Sequence, residues 1–449
     1  MSEPVDRADA RPVELKDARE LRRQVDEVVS TTAVIDMHTH LFPPQFGALN
    51  LYGIDHLLTY HYLIAELFRA SDVGPEQFWG LPKARQADLV WEALFVRRTP
   101  LSEASRGVVA VLTALGLDPR ARDLREAREF FGALRAEDYV GRVLETARVG
   151  SVVMTNDPFD PEEGRLWEGG TERDPRFHPA LRVDPMLVGW RDALPALAAQ
   201  GFEAGEDLGG RSVAEARRFL DVWVGRMRPL YLAVSLPDDF NFPADADPLR
   251  ARVLEEIILP TCREHGLPLA LMIGVRRGVN PALRSAGDGL GRADASAVER
   301  LCAAHPGVRF LVTFLSRENQ HELCVSARKF SNLLPFGCWW FLNNPSIISE
   351  ITRERLELLG TSFIAQHSDA RVLDQLIYKW GHSRRVIADA LYEAYESLLR
   401  DGRPVTREEV EQAARRILRP EAMVWLVIGD RSRLEPQLRQ AGQIGRAHV

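Results

Sequence analysis

The sequence predicts an α/β fold, a (β/α)8 barrel of the TIM type with a helical insertion after its first strand. Three observations predict it. Short apolar runs recur about eight times along the 449 residues, helix-period stretches separate most of them, and the first run ends in an H-x-H triplet. Strands alternating with helices argue for a parallel sheet closed on itself over a sandwich or a bundle. A doubly wound open sheet is the alternative, but no G-x-G-x-x-G follows the first strand.

Residues 1–30 read as a frayed start followed by a charged helix, an N-terminal extension. TTAVIDMHTH (31–40) then reads as a buried strand whose C-terminal end falls at about His38. The later runs are SVVMT (151–155), a weaker one around Ala180–Trp190, LYLAVS (230–235) and LPLALMIG (267–274). RFLVTFL (309–315), GCWWFL (337–342) and TSFIAQ (361–366) complete the set. The stretch between the first two strands is far longer than a crossover needs. Its helical patterns, IDHLLTYHYLIAELFRA among them, predict a helical subdomain over about 41–148, inserted at the catalytic face. The barrel then occupies 31–383. Residues 384–449 are expected to form helices packed on the barrel and a flexible tail ending in AGQIGRAHV.

Hydrophobic residues make up 45% and charged residues 27%, the balance of a soluble globular protein. A net charge of −7 offers no basic face for nucleic acid and no polybasic patch for a membrane. A small anionic substrate would need a local cluster of arginines. The cysteines Cys262, Cys302, Cys324 and Cys338 form no C-x-x-C pair, which argues against a zinc ribbon and for a reducing compartment. The charged N-terminus has no apolar h-region, and no run of eighteen apolar residues occurs, so a cytoplasmic location is expected.

The chemistry-bearing residues follow from this frame. His38 and His40 are two apart on a strand, so both imidazoles face one point at the strand's C-terminal end, where barrel enzymes keep their active sites. Imidazole suits one divalent ion, with zinc expected and manganese, iron or nickel as alternatives. Asp369 follows the last apolar run, so a barrel sets it beside the first strand, where a carboxylate can bind the ion or take a substrate proton. Arg371 follows two residues later. His61-Tyr62, just after Asp55-His56, is a candidate proton relay, with helix packing as the plainer alternative. Arg182 is placed to clamp a carboxylate, or else to form a salt bridge. Trp339 and Trp340, with Asn343 and Asn344, could line a sugar site or pack under the barrel floor.

The ordered set DMHTHLFPP, YHYLIAELFRA, TNDPFDP, ALRVDPML, FGCWWFLNN and SDARVLD resembles the uronate isomerases of the amidohydrolase superfamily. The resemblance runs from residue 33 to about 375. It implies a metal-dependent barrel that interconverts D-glucuronate with D-fructuronate, or D-galacturonate with D-tagaturonate. It further implies His38, His40 and Asp369 as metal ligands, with His61 and Tyr62 at the reacting end of the sugar. Arg182 and Arg371 would then grip substrate oxygens, and Trp339 or Trp340 would line the pocket. A small sugar acid is the expected partner, and a homo-oligomer the expected assembly.

This sequence departs from the family pattern at three places. Met272 stands where the family has a histidine after the fifth strand, with Arg276-Arg277 following. Asn343-Asn344 replaces an Asn-Asp pair, and the late motif reads Ser-Asp-Ala-Arg, without its middle serine. A hydrolase or decarboxylase of the same superfamily is the alternative. Hydrolytic members generally need further ligands, and MIGVRR, TFLSREN and VSLPDD end their strands without His, Lys or Glu. A barrel kept only for binding is a third reading, and the histidines, Asp369 and the arginines speak against it.

Overall fold

The computed structural model describes residues 14–15, 17–170 and 173–419; the predicted C-terminal tail lies outside them. Its sheet begins at β1 (Val34–Thr39) and continues through β2 (Val149–Asn156), β3 (Phe177–Arg182), β4 (Leu232–Pro237) and β5 (Leu269–Arg276). β6 (Phe310–Phe314) and β7 (Leu333–Pro335) follow, and all neighbours in this order pair in parallel. The eighth position is a single bridge between Phe336 and Ile364. Closure is made by backbone bonds rather than a ladder. The Asp369 amide donates to the His38 carbonyl (3.1 Å) and the His40 amide to the Ala370 carbonyl (2.7 Å).

Period-two alternation explains why the strands read as continuous apolar runs: both faces are covered. Leu269, Leu271 and Ile273 of β5 join Phe310, Val312 and Phe314 of β6 in the layer beneath the helices. The intervening residues point inward. Val153, Ala180, Ala233, Ala270, Met272, Leu311, Phe336 and Ile364 form the separate core inside the barrel, with Trp339 and Trp340 above them. Tyr231 fills the middle and donates its hydroxyl to the Met37 carbonyl at 2.6 Å.

Two strands differ from expectation. The run predicted at 337–342 is a turn and a 3-10 helix, and the seventh strand lies just before it. Gly337 (φ +62°) and Trp340 (φ +46°) adopt left-handed conformations that a strand cannot contain, so apolar composition there reflected burial, not extension. The weak run near 180–190 ends at Arg182, because Asp184–Val188 turns helical with Pro185 in its first turn.

Between β1 and β2 the described chain is helical, including α1 (His61–Ala70), α2 (Glu103–Leu115) and α3 (Ala136–Ala147). α4 (Pro345–Leu359) precedes the last barrel segment, its N-terminus capped by the Asn344 side chain. α5 (Gln375–Arg400) begins six residues past Asp369 and packs on α2, α3, α4 and the N-terminal helix Ala18–Thr31. Helices from the insertion and from both ends of the chain thus meet behind the Asp369 loop. No helix among the described residues is long and apolar enough to cross a membrane.

Candidate metal centre

His38, His40 and Asp369 each offer one ligand atom, and the three atoms lie within 4.8 Å of one another. Asp369 Oδ1 faces both imidazoles, 3.5 Å from His38 Nε2 and 3.3 Å from His40 Nε2. Neither approach is aligned as a hydrogen bond, so the oxygen and both His38 nitrogens are buried without a partner among the described residues. Pairing register between β1 and β2 slips between Asp36 and Thr39, the stretch that holds His38.

The His40 tautomer follows from its neighbour. Thr155 Oγ1 donates to the Thr39 carbonyl (3.0 Å), so its contact with His40 Nδ1 (2.8 Å) must accept the ring N–H. Nε2 therefore carries a lone pair, and it points at a carboxylate oxygen. Arg371 Nη2 also reaches that nitrogen, at 3.4 Å. Burial, then the Arg371 charge, hold the His40 pKa well below its ordinary value. Lone pairs and a carboxylate converging without shared protons are a donor set for a cation.

The loop that carries Asp369 is held from many sides. Asp369 has φ +52°, a conformation that costs a non-glycine residue about 1–2 kcal/mol. Asp36, fully buried, accepts the Ser368 amide (3.0 Å) and the Trp380 indole N–H (2.7 Å). Asn343 Nδ2 donates to the carbonyls of His367 (3.1 Å) and Ser368 (3.0 Å), while Gln366 Nε2 donates to Asn343 Oδ1 (3.1 Å). Gln375 Oε1 accepts the amides of Arg371 (2.8 Å) and Val372 (3.0 Å).

The other predicted residues divide into two groups. His61 opens α1, and its Nε2 accepts the Trp340 indole N–H at 3.0 Å, which leaves Nδ1 as the protonated nitrogen. Burial, with the Arg371 charge, lowers the His61 pKa to about 3, so the ring is neutral. Tyr62 packs against Phe341 and Tyr60, with the Lys379 ammonium 5.9 Å from its ring centre; burial pushes its phenol well up. Trp339 is buried in the barrel core, and Trp340 stacks on Phe341 at 4.8 Å. Arg182 lies at the end of β3. It binds Asp184 through Nε (3.3 Å) and Nη2 (3.0 Å), so the salt bridge is present, and the fork's Nη1 has no protein partner among the described residues.

Sequence reasoning missed Thr155, Asp36, Gln375 and Tyr60. Tyr60, immediately before His61, is buried with its hydroxyl unpartnered and is held protonated by burial and the Asp369 charge. The tyrosines flanking His61 were the available signal. For Asp36 and Thr155 the signal was a polar residue inside an apolar strand.

No family model matches the sequence. A 112-residue stretch is 30% identical to a chitooligosaccharide deacetylase of Azorhizobium caulinodans, covering 24% of this chain. The match spans 47% of that curated relative, about half its length. Among solved structures, a uronate isomerase from Bacillus halodurans C-125 is 50% identical, with a TM-score of 0.88 over 91% of this chain and 96% of that one. A uronate isomerase from Thermotoga maritima is 15% identical at TM-score 0.71, covering 90% of this chain and 96% of its own. A glucuronate isomerase from Caulobacter crescentus is 16% identical at the same TM-score, 0.71, covering 93% and 94%. The last two speak to the fold alone.

Proposed function

The chain belongs to the uronate isomerase family, and from that premise we propose that it interconverts an aldose sugar acid with its ketose partner. D-glucuronate with D-fructuronate and D-galacturonate with D-tagaturonate are the expected pairs. The likeness to the Bacillus halodurans uronate isomerase over nearly the whole chain carries the reading.

An aldose becomes a ketose through an enediol. A base removes the proton on C2, an acid protonates the carbonyl oxygen at C1, the 2-hydroxyl loses its proton, and C1 gains one. Asp369 suits the base: it is the carboxylate of the triad, and its Oδ1, not its Oδ2, faces the two imidazoles. Tyr62, kept protonated by burial, suits the acid, and the neutral His61 can present its Nδ1–H to a substrate oxygen. Arg371, beside His40, would hold a substrate oxygen near the triad, and Arg182 would take the carboxylate end through its spare Nη1. Trp340 would border the sugar, with Trp339 as the wall behind it.

His38, His40 and Asp369 would hold one divalent ion, zinc first, with manganese, iron or nickel as alternatives. Such an ion supplies a positive charge that polarises the reacting carbonyl and steadies negative charge on its oxygen. The buried, unpaired cysteines support a reducing, cytoplasmic setting. A homo-oligomer belongs to this proposal and is read by sedimentation. The reading is tested by incubating metal-loaded protein with D-glucuronate or D-galacturonate and following the ketouronate by NMR. Asp369→Asn is expected to abolish turnover; ketouronate formed at the wild-type rate by that variant would remove Asp369 from the chemistry.

A further inference from the structure

We propose that His367 is a positioning residue of the metal centre, the outer imidazole placed to take the second ring nitrogen of His38 in a hydrogen bond when the first binds the ion. The proposal rests on the metal reading of His38, His40 and Asp369.

His367 is fully buried, and neither of its ring nitrogens has a hydrogen-bond partner among the described residues. The same holds for both nitrogens of His38. An unpaired buried polar atom costs about 1–3 kcal/mol, so two adjacent rings left this way call for something to satisfy them. An ion would engage one nitrogen of His38 and leave the other needing a partner. Ligating imidazoles almost always give their remaining N–H to an acceptor, which fixes tautomer and ring orientation. His40 has that partner in Thr155. For His38 the adjacent imidazole is His367: the ring centres are 5.0 Å apart, with planes inclined at 59°. Imidazole centres roughly 5 Å apart can bring two ring nitrogens within hydrogen-bonding reach; the bond itself is not formed here, and a rotation of the rings would complete it.

The surroundings fit an imidazole kept for this purpose. Gly337, at φ +62°, leaves room for it: a Cβ there would meet His367 Cδ2 at 2.1 Å. Phe336 packs on its other neighbour His38 as well, with ring centres at 5.0 Å from His367 and 6.2 Å from His38. Asn343 fixes the His367 backbone through its carbonyl. Across the barrel, β5 turns Ala270, Met272 and Val275 to the interior, and the one heteroatom among these side chains, the Met272 thioether, is a poor acceptor for an N–H. The imidazole beside His38 comes instead from the loop that also supplies Asp369.

The test compares His367→Phe, which keeps a ring against Phe336, with His367→Gln, which keeps hydrogen-bonding atoms. Zinc affinity is read by chelator competition and stability by the Tm of the metal-free proteins. The phenylalanine variant is expected to bind zinc 10–100-fold more weakly at an unchanged Tm, and the glutamine variant to recover part of the loss. A phenylalanine variant within twofold of wild type overturns the proposal. Should that variant not fold, a His367→Leu variant with zinc affinity within twofold of wild type overturns it equally. X-ray absorption of the zinc-loaded wild type is expected to count two imidazoles; three would make His367 a ligand and overturn the outer role. A wild type that takes up no ion under any loading sinks the metal reading itself, a result distinct from all of these.

Discussion

The Asp369 amide donates to the His38 carbonyl at 3.1 Å, so the barrel is stitched shut at the two residues whose side chains face each other across the metal site. Closure of the fold and assembly of the site are one event. A change that loosens the 366–371 loop should therefore reach metal affinity as well as stability.

Asn343→Ala tests that coupling. The variant loses bonds to the His367 and Ser368 carbonyls and leaves Gln366 Nε2 without its acceptor. Buried groups left unpaired cost about 1–3 kcal/mol each, so urea unfolding is expected to show a loss of about 2–3 kcal/mol. Zinc affinity, read by chelator competition, should fall with it.

Trp340→Phe removes the indole N–H that sets the His61 tautomer. One such bond contributes about 1 kcal/mol. The expected result is a kcat lowered by roughly 5–10-fold with KM nearly unchanged, and an Nε2–H population of His61 in 15N NMR where wild type has only Nδ1–H.

Arg182→Met separates the two readings of that residue. Loss of a charge-assisted contact to a substrate carboxylate is expected to raise KM about 10–100-fold while kcat holds. A lowered Tm with unchanged KM would leave Arg182 as the partner of Asp184 and nothing more.

His382→Gln addresses acid stability away from the triad. Burial, with Lys379, Arg385 and Arg106 nearby, lowers the His382 pKa to about 3, while Glu103 faces its Nδ1 at 3.9 Å. The folded pKa lies below the unfolded value of about 6.5, so only the unfolded state takes up the proton between the two. The stability held above pH 6.5 is then lost as pH falls, at about 1.4 kcal/mol per pH unit. Between pH 6.5 and 5, urea unfolding of wild type is expected to lose about 2 kcal/mol more than the variant does.

How much of this was legible in the sequence depends on what each residue answers to. β5 and β6 read clearly because strands buried on both faces must be apolar throughout. GCWWFL misled for the same reason: a buried turn at the barrel mouth is as apolar as a strand, and only its backbone angles distinguish it. His38, His40 and Asp369 were visible because metal-binding residue types ended apolar runs at the first and last barrel segments. Asp36, Thr155, Gln375 and His367 were not, since their partners lie on other elements and come together only when the barrel closes.

The central claim is proton transfer at C2 of a sugar acid, and NMR in deuterated buffer tests it most directly. Metal-loaded protein is given D-glucuronate or D-galacturonate, and the aldose is recovered near equilibrium. The account predicts solvent deuterium at C2 of the recovered aldose, and none with Asp369→Asn. Ketouronate formed with no deuterium entering from solvent at any stage would contradict an exchangeable base at Asp369; no conversion of either sugar acid would contradict the proposed activity.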